Sequence, residues 1–111
     1  MSGERWKSIR LDEIEPIPVV GGTLLWRPLR RELDVGAFGI NAYVAPKAGD
    51  DVVEEHTERQ YLHEEVYLVL AGRATFTVDG ETLDAPAGTA VFIRDPLVKR
   101  HARAAEDGTA V

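Results

Sequence analysis

The dipeptide Asp79-Gly80 separates two β-rich runs, Arg73-Ala74-Thr75-Phe76-Thr77-Val78 and Glu81-Thr82-Leu83. A two-residue type I′ turn needs positive φ at both central positions, which Asp-Gly tolerates, so the pair closes an antiparallel hairpin. The apolar run from Glu65 to Gly72 leads directly into the first of these strands. The stretch 48–88 therefore reads as a meander of antiparallel strands, and the remaining elements must pack against it.

Residues 6–11 (WKSIRL) read as a short strand. Asp12 to Pro18 is an acidic, Pro-punctuated connection that cannot lie in a central strand, because proline donates no ladder hydrogen bond. Thr23 to Arg27 reads as a strand between Gly22 and Pro28, and Leu29 to Leu33 is too short to nucleate a helix alone and reads as a connection. Phe38, Ile40, Ala42 and Val44 alternate with Gly39, Asn41 and Tyr43, the pattern of a half-buried strand over 37–45. In an extended segment from Asp51, Glu54, His56 and Glu58 project to one side, since strand side chains alternate.

Beyond the hairpin, Ala85 to Gly88 is a turn. Thr89 to Ile93, apolar on both faces, suits a strand enclosed between two sheets. Val98 to Ala104 sets Lys99, His101 and Arg103 on one face and Val98, Arg100, Ala102 and Ala104 on the other. Asp107-Gly108 then turns into Thr109-Ala110-Val111, read as the start of a strand whose edge a neighbouring subunit covers. With eight or more short strands and no segment of helical period, the fold class is all-β, a sandwich or barrel with the double-sheet jelly roll among its solutions.

At 111 residues the chain has room for one domain. Residues 1–36 supply N-terminal strands and a connection to the same domain as the barrel core, 37–111. A net charge of −6 argues against nucleic acid or an anionic membrane surface as partner, since both attract basic patches. No apolar stretch approaches membrane-spanning length, and Met1 to Lys7 lacks the apolar core of a signal peptide, so a soluble cytoplasmic protein with a small-molecule ligand is expected. With no cysteine, any metal site must use nitrogen and oxygen donors.

Such donors are concentrated just before the hairpin, where His56, Glu58, Gln60, His63, Glu64 and Glu65 fall within ten residues and include two of the three histidines. Imidazole and carboxylate gathered at strand ends are what a divalent cation requires. Solvation of a surface loop uses the same residues. Tyr43, Tyr67 and Asn41 are candidate pocket residues, each carrying a polar tip.

These residues resemble the cupin superfamily, whose barrel carries two motifs. Glu65 followed by Gly72 matches the end of the first, Asp79-Gly80 the turn between them, and Pro86-Ala87-Gly88 with the run TAVFI the body of the second. The likeness covers about residues 37 to 105. Aligned from Gly49, His56 falls at the first motif histidine and Glu58 at the second, with extra residues in Arg59-Gln60-Tyr61-Leu62; His101 falls near the histidine of motif two, and Ala105 at its asparagine.

The resemblance implies a cupin-like jelly-roll barrel holding a divalent metal (Fe, Mn, Zn, Ni or Cu) through His56, Glu65 and His101, with His63 or Glu58 as a fourth donor. It further implies dioxygenase- or isomerase-like chemistry on a small oxygenated molecule, with Glu58 as general base, and a homodimer paired through N-terminal strands. A metal-free binding or regulatory barrel is the alternative. No organic cofactor is indicated.

Overall fold

A computed structural model describes residues 5–111; residues 1–4, part of the stretch read for a leader, lie outside the described residues. The strands are β1 (Ile17–Val19), β2 (Leu24–Arg27), β3 (Ala42–Ala45), β4 (Asp51–His56), β5 (Glu65–Leu68), β6 (Arg73–Val78), β7 (Glu81–Pro86), β8 (Ala90–Ile93), β9 (Arg100–Ala104) and β10 (Thr109–Ala110). They form one sheet in the order β1-β2-β3-β10, a second in the order β4-β9-β6-β7, and a ribbon β5-β8. The ribbon continues the first sheet, because Leu70 N–H donates to Ala110 O at 2.8 Å and Ala110 N–H to Ala71 O at 3.0 Å. Two antiparallel layers thus close around one core, the jelly-roll barrel expected from the sequence.

The hairpin forms as the turn chemistry dictates. Asp79 and Gly80 have φ of 52° and 79°, which the type I′ geometry requires, and the register runs from Val78↔Glu81 to Arg73↔Pro86. On β6 and β9 the alternation separates the faces. Ala74 and Phe76 of β6 and Ala102 and Ala104 of β9 are buried, and they join Leu24, Ala45, Val52, Val69, Ala85, Val91 and Ile93 in the core. Burying one large side chain such as Phe76 stabilises the fold by about 1.5–3 kcal/mol.

Gly72 is fixed by a close approach. Its φ is +73°, and a Cβ there would lie 2.5 Å from Thr109 Oγ1 and 2.9 Å from Thr109 Cα. This contact sits where β10 wedges between β3 and the chain leaving β5, next to the Arg73 N–H that donates to Thr109 Oγ1 at 3.3 Å.

Several elements differ from the sequence expectation. Residues 6–10 are irregular and lead into a 3-10 turn at Leu11–Glu13; the core takes Ile14 instead, and Arg27 Nη1 donates to Ile14 O at 2.7 Å and Leu11 O at 3.4 Å. Leu29–Leu33 is a short helix, α1, ended by Asp34 in the left-handed conformation. Tertiary contact supplies what five residues lack alone, with the Arg31 guanidinium stacked 5.0 Å over the Trp26 ring.

The strand expected over 37–45 is only β3, since its pairing with β2 ends at Arg27↔Ala42, and Phe38 and Ile40 are exposed. β8 has one wet face: Val91 and Ile93 are buried, whereas Phe92 is exposed, because a ribbon at the barrel surface is covered on one side only. β10 has no free edge, being bonded to β3 on one side and to Ala71 on the other. Its completion therefore needs no neighbouring subunit. Pro18 lies in the edge strand β1, where a missing donor costs no ladder bond.

Candidate functional site

His56 ends β4, Glu65 begins β5 and Arg100 begins β9, and the antiparallel register sets His56 opposite Arg100. Strand ends from both layers thus meet at one mouth of the barrel. Glu58, two residues beyond β4, is held there because its N–H donates to Pro96 O at 2.8 Å. That bond ties the loop 57–64 to the turn preceding β9.

One ligand atom each from His56, Glu58 and Glu65 lies within 4.8 Å of the others. His56 Nε2 is 3.3 Å from Glu58 Oε2 and 3.5 Å from Glu65 Oε1. The other ring nitrogen settles the tautomer. His56 Nδ1 is 2.7 Å from the Glu54 carbonyl oxygen, and a carbonyl only accepts, so Nδ1 carries a proton and, in the neutral ring, Nε2 presents its lone pair toward the two carboxylates.

In that neutral form a lone pair facing two carboxylates is repulsive, and a proton or a metal cation between them relieves it. The two spacings exceed the 2.7–3.2 Å of a good N–H···O bond. They match the edge of about 3.4 Å between two donors that each sit about 2.1 Å from a tetrahedral ion. A histidine that donates its remote N–H to a backbone carbonyl is the usual support of a metal ligand. The residues therefore fit a divalent cation.

Behind Glu65 lies Arg100, whose side chain is fully buried. Its Nη1 donates to Glu65 Oε1 at 2.9 Å. Its Nε and Nη2 donate to Val98 O at 3.1 and 2.8 Å, and Nη2 also reaches Asp95 O at 3.3 Å. The Tyr67 hydroxyl donates to the same Glu65 oxygen. Tyr67 is pushed well above the usual phenol range, first by burial and then by its hydrogen bond to Glu65 and that carboxylate's charge. Tyr43 is raised too, by burial first and then by the charges of Glu54 and Glu65.

Of the expected metal ligands, His56 and Glu65 come together with Glu58, expected either as a fourth donor or as a base beside the centre. His63 does not reach it. Its Nδ1 stands 3.5 Å from Glu58 Oε1 while its ring stacks on Tyr61 at 5.6 Å, so it backs Glu58 from the solvent side. His101 is on the wrong face: its Nε2 is 2.8 Å from Asp51 Oδ1, and with Thr75, Thr77 and Arg103 it lines a shallow depression of about 240 Å³ outside the barrel. Strand alternation is the reason, since β9 turns Arg100, Ala102 and Ala104 inward. Asn41 is exposed ahead of β3.

Arg100 is the site residue that sequence reasoning missed. The signal was present, because Arg100 shares its face with Val98, Ala102 and Ala104, the apolar side of the strand.

No family model matches the sequence. An uncharacterised protein of Streptomyces coelicolor, SCO3923, is 26% identical over 102 residues, covering 91% of this chain and 88% of the relative. Among solved structures, a cupin protein (BF4112) from Bacteroides fragilis is 24% identical with a TM-score of 0.63, covering 97% of this chain and 79% of the other. KdgF from a Halomonas species is 14% identical with a TM-score of 0.66, covering 89% and 82%. An RmlC-like cupin from Shewanella frigidimarina is 22% identical with a TM-score of 0.63, covering 89% and 80%.

Proposed function

The chain has the fold of the cupin superfamily, and from that premise we propose that it holds a divalent cation at the barrel mouth and takes a small oxygenated organic molecule as ligand there. The single observation that carries this reading is the convergence of His56 Nε2 on Glu58 and Glu65 at 3.3 and 3.5 Å, with Nδ1 held by Glu54 O. When bound, a divalent ion in such a set supplies a Lewis acid that polarises a carbonyl or enolate oxygen. Dioxygenase- and isomerase-like reactions both use that property, and fold alone does not choose between them.

This chain's own residues do the rest. Glu54 O fixes the imidazole ring, His63 backs Glu58, and Arg100 with Tyr67 holds Glu65 Oε1, the oxygen that faces His56 Nε2. Tyr67, raised by burial, keeps its proton on Glu65 and so stays a donor across the working pH range. Nitrogen and carboxylate donors suit Fe, Mn, Zn, Ni and Cu alike.

A second reading, a barrel that binds a small molecule without metal or turnover, is favoured by one observation: Arg100 already presents a positive charge to Glu65. Metal analysis after dialysis against Zn²⁺ or Mn²⁺ separates the two. The cation reading expects one ion per chain, lost in His56→Ala and reduced in Glu58→Gln; no ion at any loading leaves the metal-free barrel. The exposed Val66, Leu68 and Phe92 on the outer side of the β5-β8 ribbon support a homodimer, which sedimentation at micromolar concentration tests.

A further inference from the structure

We propose that Arg100 makes the centre selective for a monoanionic oxygen ligand, a carboxylate or an enolate, in preference to a neutral one; this rests on the cation reading above. Charge arithmetic at the barrel mouth leads there. A neutral imidazole and two carboxylates offset the two charges of a divalent ion, giving a neutral set. The Arg100 guanidinium then adds one positive charge that the set itself does not offset.

That charge is permanent and immobile. Arginine does not lose its proton in proteins. Arg100 is the only charged side chain that is buried among the described residues, so water screens it little. Three hydrogen bonds to the carbonyls of Val98 and Asp95 prevent it from swinging to the surface.

Other charges near the mouth do not offset it. Glu54 and Glu64 are exposed and screened by solvent and salt. Tyr67, donating to Glu65, is neutral. A neutral ligand at an open coordination position therefore leaves the buried Arg100 charge uncompensated, and a monoanion offsets it.

Protein loaded with Co²⁺ reports ligand binding through its visible absorption, with acetate as the monoanion probe and imidazole as the neutral one. Arg100→Met is expected to weaken acetate about tenfold relative to imidazole, the ratio of the two affinities being the quantity read. Arg100→Lys, which keeps the charge and places less demand on the fold, is expected to retain acetate affinity within about threefold. An equal ratio in wild type and Arg100→Met, or a tenfold loss in an Arg100→Lys protein that still binds cobalt, overturns the proposal alone. Failure of the wild type to take up Co²⁺ overturns the cation reading and this inference with it.

Discussion

Arg100 Nη1 and Glu65 Oε1 meet at 2.9 Å across the barrel mouth, one side chain fully buried and the other about one-quarter exposed. Removing one partner of such a pair strands the other and, here, the carbonyls of Val98 and Asp95 as well. Arg100→Met is expected to lower stability by about 3 kcal/mol, read from denaturant unfolding. Adding Glu65→Gln should restore part of that loss, because the stranded charge disappears with it.

Gly72→Ala introduces a Cβ into a left-handed position against the backbone of Thr109. Strain and overlap together should cost about 2 kcal/mol. The loss is measurable as a shift in the denaturant midpoint.

His101→Ala removes a half-buried contact with Asp51 on the outer face. The expected loss of stability is under about 1 kcal/mol. Metal uptake should be unchanged, which equilibrium dialysis checks against the near-complete loss expected for His56→Ala.

The sequence and the structure agree where local chemistry leaves little choice. Asp79-Gly80 fixed the hairpin, and the spacing from Glu65 to Gly72 found both a site residue and a glycine that the packing demands. Agreement fails where partners across the fold decide. Leu29–Leu33 is helical because Arg31 finds Trp26, Phe38 and Ile40 lie outside any strand because β2 has already ended, and the inward face of β9 is set by alternation rather than by which residue is the better ligand. Glu58 was visible in the polar cluster, but its entry into the donor group depends on a bond to Pro96, thirty-eight positions away.

Tyr67 gives a pH dependence with a definite sign. Its folded pKa is raised above the ordinary value of 10.0, so its contribution is present in full below about pH 10. It is lost as pH rises further and the unfolded chain ionises first. Unfolding midpoints between pH 8 and 11 should fall more steeply for the wild type than for Tyr67→Phe, which lacks that ionisation.

Anomalous diffraction from crystals soaked in Co²⁺ locates the ion itself. A peak about 2.1 Å from His56 Nε2, with oxygens of Glu58 and Glu65 in the same coordination sphere, is the expected result. A barrel mouth without a peak, or a peak only beside His101 and Asp51 on the outer face, contradicts it.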